Sequence, residues 1–415
     1  MLNKGNLLGN NFIFPSNIKY RKHHKNKILI KFVLVILIIC LDIIFYLRKL
    51  RVESIINIDN KTQNISLINQ ENNWESRTNN TNHEINNTKK RIGVISVEND
   101  QNPGNTLVKF SMSTKLKELG FDPTIIALTN KRKNYNLTYL RKIVKLKEIK
   151  FSFYELKQNE YDILMVNSDQ TWTYNIKKNF YDIAFLQFAY NWKIPKFVYG
   201  ASMGTKHWRF NSYDDMQAKK LLKNFTGISL RENMLVPLAA EHLGINASFV
   251  LDPTFLIDKN YYLDLIKNYN RDFDFSKKYV LVHQLSHKRE MENFINEVKE
   301  KLDYTIYYVN RTGADFVQNF LFGINVSQSV ITDSYHGTVF SIIFNKPFIT
   351  FINNEVGKGR FLSLNKIFDL GNRIILPPFF NNSLNLLSEP LNINRTSFYE
   401  FRNSSISFLK KSLGI

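Results

Sequence analysis

A chain of 415 residues, 44% of them hydrophobic, has material for two domain cores plus appendages. Its formal charge of +20, from 56 Lys and Arg against 36 Asp and Glu, is mostly diffuse lysine. No basic helix or aromatic–basic platform marks a nucleic-acid partner. The single cysteine, Cys40, leaves no disulfide framework, zinc site or cysteine nucleophile for the globular part.

The first 51 residues hold ten Lys or Arg against one acid, Asp42. Within them, residues 28–47 are apolar except for Lys31 and Asp42, and Phe32–Leu41 is an unbroken apolar run. At 1.5 Å per residue, ~20 residues span the roughly 30 Å core of a bilayer. A central carboxylate costs ~2.5–3.5 kcal/mol on insertion scales, but Asp42 lies towards the far end of the run. The pattern predicts a transmembrane signal anchor over 28–47 behind a cytosolic basic tail, 1–27. A buried core helix is the alternative; a cleaved leader fits less well, since no small-x-small site follows. Residues 48–90 are Asn-rich and nearly free of aromatics, the composition of a flexible stem. Glycosylation sequons at Asn60, Asn64, Asn79, Asn86, Asn136 and Asn246 agree with a luminal body, weakly in so Asn-rich a chain.

From residue 91 the chain alternates strands and helices. Arg91–Val97 reads as a buried strand, Glu98–Asn105 as a turn-rich loop, and Leu107, Phe110, Met112, Leu116 and Leu119 as a helix closed by Gly120. Strands are expected at Pro123–Ala127, Ile163–Val166, Phe197–Tyr199, Ile228–Leu230 and Phe249–Leu251, the order of a parallel doubly wound sheet. Several end in small or polar groups, as an active-site rim would. Arg231 follows one strand and admits two accounts: an internal pair with Glu232, or a guanidinium fork for a carboxylate or phosphate.

A seam near residues 256–278 divides an N-terminal α/β domain, 91–258, from a second, 259–415. The second shows a strand at Tyr279–His283, an amphipathic helix over Lys288–Lys301, a strand at Thr305–Val309 and a helix carrying Phe316, Phe320 and Leu321. His283 and His287 read as ordinary loop or rim residues. Next comes a strand ending at Val330–Thr332. Asp333 or Ser334 caps a helix bearing Val339, Phe340, Ile343 and Phe344, Asn345-Lys346-Pro347 stops it, and Phe348–Phe351 is the next strand. His336-Gly337-Thr338 thus falls at a helix N-terminus beyond a strand's carboxyl end, where open α/β sheets bind ligands and free N–H groups receive anions.

Six segments in order resemble the polysaccharide pyruvyl transferase family: Asn102–Leu107, Ser168–Trp172, Tyr199–Gly204, Ile228–Glu232, Val250–Thr254, and Thr332–Ser341 with Asn345–Phe348. The resemblance implies two Rossmann-like domains in a GT-B-like arrangement with the site between them. It implies phosphoenolpyruvate as donor, a glycan hydroxyl pair as acceptor, a pyruvate ketal as product, and no further cofactor or metal. On this resemblance His336 is the general acid/base. Arg231, Gly337 and Thr338 hold the anionic donor, and Asn105, Ser168, Asp169 and Gln170 shape the opposite wall. Two positions depart from the family's pattern: Asn167 stands where Gly is usual, and Pro103 where an aromatic is commoner. Anchor and stem resemble the layout of type II Golgi glycan-modifying enzymes. The rival readings are a GT-B glycosyltransferase using a nucleotide sugar and a catalytically silent glycan-binding descendant.

Overall fold

The computed structural model describes residues 88–97, 102–128, 135–173, 179–269, 273–286, 289–310, 313–352, 357–375 and 384–415. The expected tail, anchor and nearly all of the stem lie outside these residues, as does His287. No helix among the described residues is long and apolar enough to cross a membrane.

The first sheet has seven parallel strands: β1 (Arg91–Ile95), β2 (Asp122–Leu128), β3 (Leu146–Ile149), β4 (Ile163–Val166), β5 (Lys196–Ala201), β6 (Gly227–Leu230) and β7 (Ser248–Phe249). Their order is β3-β2-β1-β4-β5-β6-β7, so the winding reverses between β1 and β4. Sequence reading misses β3, whose Leu-Lys-Glu-Ile lacks a buried run. It is a short edge strand carrying charges, which suits an edge that must not pair further.

The helix after β1, α1 (Pro103–Glu118), starts earlier than expected. Pro103, Gly104 and Asn105 are helical rather than loop: Asn102 caps them, its side chain accepting from Gly104 N, and Pro103 occupies the first helical turn, where its missing N–H costs nothing. The helices between later strands are α2 (Tyr135–Ile143), α3 (Phe180–Phe185), α4 (Ser212–Leu222) and α5 (Leu235–Leu243).

A short helix, α6 (Lys259–Asp264), follows the first sheet. The second sheet then has five parallel strands: β8 (Tyr279–His283), β9 (Thr305–Tyr308), β10 (Ser329–Thr332), β11 (Phe348–Phe351) and β12 (Ile374–Ile375). Between them run α7 (Arg289–Lys301), α8 (Phe316–Val326), α9 (Tyr335–Ile343) and α10 (Lys358–Phe368). The order β12-β11-β10-β8-β9 reverses between β8 and β10. His283 is not a rim residue. It ends β8, pairs in register with Thr332, is wholly buried, and tilts its ring against Phe320 at 4.7 Å.

The last helix, α11 (Arg395–Leu413), packs on the first sheet rather than the second. Leu251 N donates to Ser405 Oγ (2.9 Å), Phe401 meets Phe249 edge-on at 5.4 Å, and Ser412 lies over Gly227, where a Cβ would be 2.4 Å from its Oγ. Arg402 binds the carbonyls of Phe255 (2.9 Å) and Leu256 (3.0 Å), in the segment joining the sheets. One hydrophobic cluster therefore runs through both halves, taking Leu107 from α1, Tyr262 from α6, Phe340 from α9 and Leu409 from α11. Separate clusters cover the outer faces of the first and second sheets.

Candidate active site

The site forms where α1 and α9, starting from different sheets, meet N-terminus to N-terminus. The local chemistry of α9 is a run of small side chains that close one another's hydrogen bonds. Thr332 Oγ1 donates to His283 O (2.7 Å) and accepts from Ser334 N (3.0 Å), and Ser334 Oγ caps Gly337 N (3.3 Å). Asp333, the other candidate cap, instead turns to the loop after β8, accepting from Leu285 N (2.6 Å) and Ser286 N (2.9 Å).

This bonding spends the groups of Gly337 and Thr338 inside the fold. Gly337 N–H goes to the cap, and a Cβ there would lie 2.2 Å from Thr332 Oγ1. Thr338 N donates to Ser334 O (3.1 Å), and its hydroxyl contacts Ser334 O (3.1 Å) and Thr350 Oγ1 (2.7 Å). His336 is different. Its side chain is buried, its Nε2 lies 3.5 Å from Asp252 Oδ2 and, among the described residues, makes no hydrogen bond within normal limits.

Asp252 follows the β7 strand and binds Thr254 through Oδ1 (N 3.0 Å, Oγ1 2.7 Å). Its Oδ2 takes Arg231 Nη1 at 2.5 Å. Arg231 Nη2 lies 3.4 Å from Asp169 Oδ1, and Asp169 Oδ2 accepts from Asn105 Nδ2 (2.9 Å). Asn105 Oδ1 in turn receives Lys109 Nζ, which also donates to Val97 O (2.9 Å). The result is one polar chain, Lys109–Asn105–Asp169–Arg231–Asp252–His336, across both halves. Asp169 sits at φ 110°, strained for a residue with a side chain and held by these contacts. Of the two accounts of Arg231, the internal pair with Glu232 does not form. Glu232 instead accepts from Ser202 Oγ (2.5 Å) and Gly204 N (3.0 Å), because consecutive residues at a strand end point to opposite sides.

Of the other expected wall residues, Ser168 is structural, donating to Gly200 O (2.8 Å). Gln170 lies over Gly204, its Nε2 2.4 Å from where a Cβ would stand.

Sequence reading missed Arg360 and Tyr335. Arg231 and Arg360 lie over the Tyr335 ring, 4.6 Å and 5.1 Å from its centroid. The Nε atoms of both arginines are buried without a hydrogen-bond partner among the described residues. Arg360 belongs to α10, whose entry is pinned to the first half: Gly357 N donates to Gly204 O (2.5 Å) and Asn233 N to Ser363 Oγ (3.1 Å). No motif in the sequence singles out Arg360; its position comes from that docking.

Burial opposes ionisation of Asp252, but the His336 imidazole 3.5 Å away and the charge of Arg231 outweigh it and hold the carboxyl well below the usual range. Asp169 is also lowered: burial works against it, and Arg231, His336 and the Asn105 amide prevail. Glu232 goes the other way, because burial exceeds the help from Arg231 and Ser202. Arg360 is lowered by burial first and by Arg231 second. Among the described residues no group of His, Cys, Asp and Glu is placed to hold a metal ion.

Two parallel α/β sheets thus bring their strand ends together on a buried histidine, two guanidinium groups and two carboxylates, the place and the kinds of group with which open α/β folds bind ligands. The family model for polysaccharide pyruvyl transferase matches residues 102–355, more than half of the chain, a range that includes Asn105, Asp169, Arg231, Asp252 and His336 and stops short of Arg360, and the chain belongs to that family. No curated protein matches it closely.

Among solved structures it is similar to UDP-GlcNAc 2-epimerase from Neisseria meningitidis bound to UDP-GlcNAc, at 10% identity and TM-score 0.49, over 79% of this chain and 100% of that one. The UDP-GlcNAc 2-epimerase of Methanocaldococcus jannaschii gives 12% identity and TM-score 0.44, over 77% and 99%. Anabaena HepE in complex with UDP and glucose gives 9% and 0.43, over 78% and 95%. At these scores the likeness carries nothing about ligands.

Proposed function

We propose that this transferase moves the pyruvate group of phosphoenolpyruvate onto a pair of glycan hydroxyls as a cyclic ketal, in a GT-B-like cleft. The observation that carries the reading is the convergence of His336 Nε2, Arg231 Nε and Arg360 Nε, three buried nitrogens without hydrogen-bond partners among the described residues. Phosphoenolpyruvate has two anionic ends and a carbon that must be protonated. Two guanidinium groups suit its phosphate and carboxylate, and an imidazole suits the proton transfer.

In this scheme His336 delivers a proton to the methylene carbon, and C2 takes up positive character. One acceptor hydroxyl adds to C2, forming the first C–O bond and returning its proton to His336. The second hydroxyl then forms its bond to C2 as the C2–O bond to phosphate breaks, and its proton leaves with the phosphate. Asp252 positions His336 and Arg231; Asn105 and Asp169 hold Arg231 from the far side. Ser168, Gln170, Gly337 and Thr338 act as scaffold around the ligand. The apolar run at 28–47 and the Asn-rich stretch after it support the further reading of a membrane-anchored type II enzyme with its body in a secretory lumen.

The test is incubation of the detergent-purified full chain with phosphoenolpyruvate and a panel of galactosides and N-acetylmannosamine glycans. Release of one phosphate per ketal, lost in His336→Ala, is the expected result. Turnover of a nucleotide sugar instead, or glycan binding without turnover of either donor, would overturn the reading.

A further inference from the structure

Two buried polar side chains stand beside the donor site and are not used by it. Ser96 extends β1 by one residue and Asn167 extends β4 by one. Asn167 N donates to Ile95 O (2.8 Å), and the register pairs Ile95 with Val166, so Ser96 and Asn167 are the next rung of the same ladder. Side chains alternate along a strand. Ile92, Val94, Ile163 and Met165 belong to the core shared with α1 and the second half, whereas Ile95 and Val166 face the outer core. Ser96 and Asn167 therefore both rise on the α1 side.

Both are buried, Asn167 completely. Among the described residues Asn167 Nδ2, Asn167 Oδ1 and Ser96 Oγ have no hydrogen-bond partner. Folded proteins rarely leave three adjacent buried polar atoms without partners, because each forfeits the bonds it makes in water. Their place is also particular: β1 and β4 are the strands between which the sheet's winding reverses, and the crevice at their carboxyl ends is where open α/β sheets take ligands. One residue beyond Ser96 and two beyond Asn167, Val97 O and the Asp169 carboxylate both receive the Asn105 amide, so the rung lies at the foot of the catalytic chain.

The chemistry of the pair differs from that of the donor site. A primary amide and a hydroxyl are neutral, and each both donates and accepts. That matches an alcohol, which does the same, and an anion would be drawn to the arginines instead. We infer that Ser96 and Asn167 form a subsite for a sugar hydroxyl of the acceptor, set at the switch point beside the bound donor. This inference rests on the pyruvyl-transfer reading.

The experiment compares the full-length wild type with Asn167→Ala and Ser96→Ala, using phosphoenolpyruvate and whichever galactoside or N-acetylmannosaminide is turned over. The readouts are KM for each substrate, phosphoenolpyruvate affinity in the absence of acceptor, and Tm. Loss of a neutral hydrogen bond should raise the acceptor KM about 3- to 10-fold, with phosphoenolpyruvate affinity unchanged. A matching fall in phosphoenolpyruvate affinity would place the pair in the donor site and overturn the subsite. A lowered Tm with both KM values unchanged would make the pair purely structural and also overturn it. Should Asn167→Ala not fold, Ser96→Ala, a one-atom deletion, decides by the same readouts. If the wild type forms no ketal, the pyruvyl-transfer reading fails and the subsite with it. Ketal formation with an unmoved acceptor KM sinks the subsite alone.

Discussion

His336 rests on the backbone of Gly104: a Cβ at Gly104 would lie 2.1 Å from the imidazole Cγ and 2.2 Å from Nδ1. The two residues are 232 positions apart and open helices that start from different sheets. Gly104 is not in the left-handed backbone region, so space, not conformation, requires glycine here.

Gly104→Ala separates these two causes. On helix propensity alone the change would be neutral or favourable, but overpacking of this kind costs about 1–3 kcal/mol. The expected outcome is a lower Tm and a fall in kcat of ~10-fold or more, since displacement of a reacting group by about 1 Å costs up to ~100-fold. In Gly104→Ala/His336→Ala the methyl group gains the room vacated by the ring. The double variant should therefore recover most of the lost stability, and additive losses in denaturant melts would disprove the contact.

Arg231 should not tolerate lysine. Its fork reaches Asp252 with one nitrogen and Asp169 with another, and a single ammonium cannot do both. Breaking a buried pair by removing one partner costs roughly 3–5 kcal/mol because the other charge is left buried. Arg231→Lys is expected to lower stability by less than that and to raise the phosphoenolpyruvate KM. Arg231→Met should lower stability by the full amount. Equal stability of the two variants in urea titration would contradict the fork.

Arg360 should behave in the opposite way. Its Nε has no hydrogen-bond partner among the described residues and its guanidinium stacks on Tyr335, so less stability depends on it than on the paired Arg231. Charge-assisted hydrogen bonds contribute ~1.5–3 kcal/mol, so Arg360→Ala should weaken phosphoenolpyruvate binding by about 10- to 100-fold while Tm falls less than in Arg231→Met. Calorimetric titration of phosphoenolpyruvate into the variant reads this directly.

Glu232 makes a prediction about pH. Its pKa is raised in the fold, chiefly by burial, so the folded chain holds a proton that the unfolded chain releases at lower pH. That contribution is fully present below the unfolded glutamate value of about 4.3 and is lost as pH rises through the higher folded value. Asp252 and Asp169, lowered in the fold, contribute stability that is present above the ordinary aspartate range and lost on acidification. Glu232→Gln removes only the first effect. Denaturant melts from mildly acidic to mildly alkaline pH should show the variant gaining on wild type as pH rises; parallel curves would contradict the assignment.

Much of this was legible in the chain. Tyr279–His283 and Phe348–Phe351 read as strands to the residue, because each is a short apolar run bounded by polar or proline-containing turns. Asp333 and Ser334 both have the chemistry of a cap; only the loop after β8, presenting Leu285 N and Ser286 N, drew Asp333 away. The start of α1 was readable from Asn102-Pro103, and was missed because Pro-Gly-Asn is also turn composition.

Local pattern alone determined that the body is a two-part α/β chain and that a histidine opens a helix beyond a strand end, because hydrophobic period and capping chemistry act over a few residues. That His336 lies on Gly104, that Arg231 binds Asp252 and Asp169 rather than Glu232, and that Arg360 joins them was decided only by tertiary structure. Those contacts depend on which strand ends the sheet order brings together and on how the two halves meet, and no spacing along the chain records either.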